Sequence, residues 1–103
     1  FSPDFAAIGR LPFRGIVLTA APLEGSQCDF ISRFFAPAAG VNEDPVTGSA
    51  HCALAPYWSK LLDREALVGY QASSRGGYVH TRISGDRVAL GGRAVTVFRG
   101  NIA

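Results

Sequence analysis

The stretch from Gly48 to Leu62 carries one charge, Lys60, yet its apolar residues fall at helical spacing: Ala50, Ala53, Leu54, Tyr57, Trp58, Leu61 and Leu62 recur every three or four positions. A helix so poor in charge needs other structure around most of its circumference. That need is the strongest constraint on how the chain can fold. Pro56 lies inside the same stretch and has no N–H for the Cys52 carbonyl, so it should kink or loosen the helix there.

The remaining residues read as short strands that can supply the wrapping. Gly15–Ala20 is a β-rich run closed by Pro22, and Asp29–Phe35 is a second strand. In the second, Phe30 and Phe34 share one face; Ile31, Arg33 and Phe35 share the other, which opens toward water at one end. Ala66–Ala72 and Tyr78–Ile83 follow, joined by a turn at Ser73–Gly77, and a further turn lies at Ser84–Asp86. Val88–Leu90 runs into Gly91-Gly92, a two-residue hairpin signal, with Ala94–Phe98 as its returning strand. Residues 3–10 read as a short helix with Pro3 in its first turn and Ser2 as cap, Leu23–Gln27 as a turn, and Pro37–Pro45 as a loop. The expected fold class is α+β: a curled antiparallel or mixed sheet, a half-barrel, around one central apolar helix. A length of 103 residues allows one domain with a hydrophobic core, not two.

Composition narrows the function classes. The chain is 48% hydrophobic and 17% charged, which excludes a disordered segment. Its net charge of +2 is scattered, and no basic cluster interleaves with aromatics, so no nucleic-acid partner is expected. No apolar run reaches the roughly 18 residues of a membrane helix, and Phe1-Ser2-Pro3-Asp4 does not open a signal peptide. Cys28 and Cys52 form no CxxC pair and read as reduced thiols, Cys52 as a small core residue; the expected location is cytoplasmic. His51 beside Cys52 has no second ligand pair at a suitable spacing, so no metal is expected. The chain has no methionine, even at position 1, which suggests a trimmed or processed product.

The segment Glu43-Asp44-Pro45-Val46-Thr47-Gly48-Ser49-Ala50 carries the chemistry. Thr47, Gly48 and Ser49 lie where the helix begins. The first N–H groups of a helix lack internal partners, and with the helix dipole they attract an anion. Gly48 permits close approach and Ser49 adds a hydroxyl. No Arg or Lys lies within the motif, which suits one carboxylate better than a polyphosphate. Pro45 holds Asp44 extended, and a carboxylate held so can orient a substrate group or relay a proton. A plainer reading makes the same residues an ordinary helix cap. His51, in the first turn, is favoured as a neutral structural imidazole. His80 reads as a surface residue, Arg75 with its glycines as a hairpin turn, and Phe30, Phe34 and Phe35 as core.

The run Asn42–Trp58 resembles the PhzF-like phenazine-biosynthesis family, as do Gln71–Gly77 and Arg87–Val97. The resemblance extends from about Phe13 onward. It implies the diaminopimelate epimerase-like fold: two similar domains, each a curled sheet around a central helix, with the active site between the two helix N-termini. It implies a cofactor-independent isomerase that moves a proton on a small carboxylate-bearing substrate; the type activity isomerises a dihydro-hydroxyanthranilate. Asp44 matches the family's active-site aspartate, and Gly48 and Ser49 its substrate-carboxylate contacts. Residues 1–103 correspond to a single, incomplete C-terminal domain. The family's catalytic glutamate belongs to the first domain, and Glu24, Glu43 and Glu65 do not match it. The expectation is the carboxylate-binding half of an isomerase site. The alternative is a truncated, inactive binding or structural module that self-associates. Open sheet edges and apolar surface lead to a homo-oligomer, a dimer, in either case.

Overall fold

The computed structural model describes residues 1–103. After a short helix α1 (Phe5–Gly9) come the strands β1 (Ile16–Ala20), β2 (Phe30–Ala36) and β3 (Val41–Asp44), then helix α2 (Gly48–Leu62), then β4 (Ala66–Gln71), β5 (Gly77–Ser84) and β6 (Arg87–Gly91). The strands form one sheet in the order β1-β2-β4-β5-β6, with β3 also paired to β2. Every pairing is antiparallel except β2 with β4, which runs parallel from Phe30↔Gly69 to Ser32↔Gln71. A parallel pair needs a long crossover, and α2 lies on that connection. The mixed sheet and the placement of α2 therefore have one cause.

Alternation along the strands decides which residues meet the helix. Phe30, Ala50, Leu54, Trp58 and Leu67 form the buried core, with Val17 and Phe34 packed against it. The Phe30 and Trp58 rings stack 5.8 Å apart, and the Trp58 indole N–H donates to Thr19 Oγ1 at 2.9 Å. Gly69 leaves room for this packing: a Cβ there would lie 2.5 Å from the Phe30 ring and 3.1 Å from His51 Nε2. Phe35 points to the opposite face, where the rings of Phe1 and Phe5 each lie 6.0 Å away.

Several expectations are corrected. α1 starts at Phe5, and its cap is Asp4, whose carboxylate accepts from the Ala7 N–H at 3.0 Å, not Ser2. The supposed loop Pro37–Pro45 holds a 3-10 turn and β3, which pairs with β2 through backbone bonds that its polar residues do not advertise. Ala94–Phe98 forms no strand, because nothing in the chain lies alongside it; Val95 is 84% exposed and Val97 93%. Cys52 is exposed, on the side of α2 turned from the sheet. The helix runs through Pro56 without interruption.

The largest correction concerns the wrapping. α2 buries Ala50, His51, Leu54, Ala55 and Trp58 against one face of the sheet. Its other side carries Tyr57, 57% exposed, and Leu61, 60% exposed. All six strands lie in one layer, so none is left to cover that side. The chain exposes 7442 Å², where a compact monomer of this size exposes about 5,600 Å². Its radius of gyration is 15.2 Å, against about 13 Å for a compact chain of this length.

Candidate functional site

The start of α2 is held by a small polar network. The backbone N–H of Thr47 donates to Gln71 Oε1 at 2.7 Å. Gln71 Nε2 donates to the Asp44 carbonyl at 2.9 Å and to Thr47 Oγ1 at 3.0 Å. The Thr47 hydroxyl in turn donates to Asp44 Oδ2 at 2.5 Å. Thr47 and Gln71 are both buried. Thr47 occupies the cap position in extended geometry, yet its side chain makes no capping bond. No side chain receives the N–H groups of Gly48, Ser49 and Ala50, and Gly48 and Ser49 are exposed. Thr47 therefore gives the helix no side-chain cap, because its hydroxyl is committed to Asp44.

The turn between β4 and β5 braces the motif from the other side. Ser73 Oγ donates to the Pro45 carbonyl at 2.8 Å and accepts from the Gly76 N–H at 3.0 Å. A Cβ on Gly77 would lie 2.3 Å from Val46 Cγ2. The two distant segments Asp44–Thr47 and Gln71–Gly77 are therefore parts of one structure.

The site residues read from sequence fall together: Asp44 at the end of β3, Thr47 at the cap, Gly48 and Ser49 in the first turn of α2. Two others were not anticipated. Arg14 lies near the start of β1, and its Nη2 donates to Ser49 Oγ at 3.0 Å, placing a cation beside the helix start. A separation of 35 residues leaves no local signal for it. Gln71 had a faint one, as a polar residue on the same strand face as Leu67 and Gly69.

The neighbouring ionisable groups turn elsewhere. Glu43 projects to the side of β3 opposite Asp44, where Arg33 Nε and Nη2 grip its carboxylate at 2.8 Å each. The Arg33 hydrogen bonds hold the Glu43 carboxyl below its usual range. The Arg33 guanidinium also lies 4.9 Å over the Phe35 ring. His51 is fully buried. Its Nδ1 lies 2.8 Å from the Thr47 carbonyl, which can only accept, so Nδ1 carries the proton. Burial pushes its pKa down, more than the Thr47 carbonyl bond pushes it up. Nε2 has no partner and faces Gly69. His51 anchors the helix start from inside and does not reach the exposed site.

A family model described as phenazine biosynthesis-like protein matches residues 1–100. An uncharacterized isomerase of Pseudomonas aeruginosa is 56% identical over 100 residues, covering 97% of this chain and 37% of that protein. One from Halalkalibacterium halodurans is 48% identical over 101 residues, covering 98% of this chain and 38% of that protein. The crystal structure of a putative phenazine biosynthesis PhzC/PhzF protein from Clostridium difficile superposes with a TM-score of 0.84 at 40% identity, covering all of this chain and 39% of that one. The chain spans little more than a third of the length of each. No helix is long and apolar enough to cross a membrane. With a family model across nearly its whole length and a matching solved structure, the chain belongs to the phenazine biosynthesis-like, or PhzC/PhzF, family.

Proposed function

We propose that this chain supplies the carboxylate-binding half of a cofactor-independent isomerase site, acting by proton transfer on a small carboxylate-bearing substrate. The observation that carries the reading is the uncapped start of α2. Its cap hydroxyl is withdrawn to Asp44, and the N–H groups of Gly48, Ser49 and Ala50 are left to an incoming anion. Arg14 adds a positive charge beside Ser49. Asp44 is then placed to orient the substrate or relay its proton. The proton-abstracting carboxylate comes from elsewhere, since Glu43, the other acid of the motif, is held by Arg33.

The test uses Asp44→Asn and Ser49→Ala, titrated with salicylate as a hydroxy-aromatic carboxylate probe by calorimetry. The expected result is weaker binding in both, about ten-fold for a charge-assisted hydrogen bond, with unchanged circular dichroism. Loss of folding without a separable loss of binding would return the motif to a structural role.

The bare side of α2 favours a companion proposal. The roughly 1,800 Å² exposed beyond that of a compact monomer exceeds the about 800 Å² that each partner contributes to a standard interface. A second copy covers it in this reading. Light scattering should then give a dimer at micromolar concentration; a monodisperse monomer contradicts it. The unbonded Cys28 and Cys52 fit a cytoplasmic setting.

A further inference from the structure

We infer that Gln71 is the positioning residue that keeps the helix start open for its ligand, by holding the Thr47 hydroxyl on Asp44 and away from α2. The inference rests on the anion-binding reading of that site. It follows from the polarity of the groups around the Gln71 amide. The Thr47 N–H can only donate, so the amide oxygen must face it; they lie 2.7 Å apart. The Asp44 carbonyl can only accept, so the amide nitrogen must face that, at 2.9 Å. Two backbone groups of fixed polarity thus set the orientation of a side chain with no solvent exposure.

The consequence reaches the ligand side. With its oxygen and one N–H committed, Gln71 presents its remaining N–H to Thr47 Oγ1 at 3.0 Å. Thr47 Oγ1 accepts there and gives its own proton to Asp44 Oδ2 at 2.5 Å. The hydroxyl is then engaged in both roles. A threonine at a helix cap ordinarily accepts from the second or third N–H of the helix, here Ser49 or Ala50. Oγ1 keeps a second acceptor lone pair, but with its position set by the bonds to Gln71 and Asp44 it makes no capping bond. The same contact turns one Asp44 oxygen toward Thr47 and fixes the carboxylate. Gln71 never touches the exposed site and acts wholly through Thr47 and Asp44.

The test compares Gln71→Met, Thr47→Val and the double variant by amide hydrogen exchange and salicylate calorimetry. In Gln71→Met the freed hydroxyl should cap the helix. Exchange at Ser49 or Ala50 should slow, and salicylate affinity should fall, each about ten-fold for one capping bond. Thr47→Val has no hydroxyl to redirect, so adding Gln71→Met to it should cause neither change. Equal losses in both backgrounds, or unchanged exchange in Gln71→Met, would overturn the inference. Should Gln71→Met not fold, Thr47→Ser decides: with Gln71 in place its more mobile hydroxyl should stay on Asp44 and leave Ala50 exchange unaltered, and slowed exchange overturns the role. Absence of salicylate binding in the unaltered protein would refute the anion-binding reading alone, because the exchange measurements need no ligand.

Discussion

Trp58 and Tyr57 are adjacent on α2 and in edge-to-face contact 5.5 Å apart, yet they occupy opposite environments. Trp58 is 8% exposed, stacked on Phe30 and hydrogen-bonded to Thr19, while Tyr57 is 57% exposed. The same contrast holds along the helix: Ala50, Leu54 and Ala55 are buried, and Ala53, Pro56 and Leu61 are not. Both sides are apolar, so hydrophobicity does not distinguish them. Only one side meets residues of this chain. The inner face therefore carries the stability of the described fold, and the outer face stays exposed.

Substitutions on the two faces sharpen this contrast. Trp58→Ala should lower unfolding free energy by about 3–5 kcal/mol in urea titration, the usual loss for a buried aromatic. Gly69→Ala should cost about 1–3 kcal/mol, because the new methyl collides with Phe30. Leu61→Asp, on the outer face, should change monomer stability by less than about 0.5 kcal/mol while weakening dimerisation in light scattering. An outer-face substitution as costly to the monomer as Trp58→Ala would break the comparison.

Acidification separates the faces by a second route. His51 is held neutral on the inner side, with its pKa below the ordinary 6.5. The unfolded chain then binds the proton first. The His51 contribution is complete above pH 6.5 and declines as pH falls toward the folded value, by at most about 1.4 kcal/mol per pH unit. Urea midpoints measured from pH 7.5 to 5.5 should show the decline, and His51→Asn should remove it. The Glu43 carboxyl is also depressed, from an ordinary 4.5. Its pairing with Arg33 stabilises the fold above that pH and is lost as pH drops through the lower folded value. At 19% and 27% side-chain exposure the pair is worth about 1 kcal/mol, and Glu43→Gln should abolish that part of the acid response.

What the sequence conveyed depended on where each partner lay. The spacing of Leu54, Tyr57, Trp58 and Leu61 marked the helix correctly, but a period says which residues are apolar, not how many sides are covered. Val41–Asp44 lacked alternation because backbone pairing with β2, not side-chain burial, makes it a strand. Val95–Phe98 had strand composition and no edge in the chain to join. Within the site, Asp44, Thr47, Gly48 and Ser49 were readable as a local turn and helix start. Arg14 and Gln71 reach it only through the fold, 35 and 24 residues away from the groups they bind.

The central claim is that the uncapped start of α2 receives a carboxylate, and chemical-shift titration of the backbone amides with salicylate tests it most directly. Saturable shifts centred on Gly48, Ser49 and Ala50, abolished together by Ser49→Ala with Arg14→Ala, are the predicted result. No saturable shift at those three amides, or a response centred elsewhere on the sheet, would contradict it.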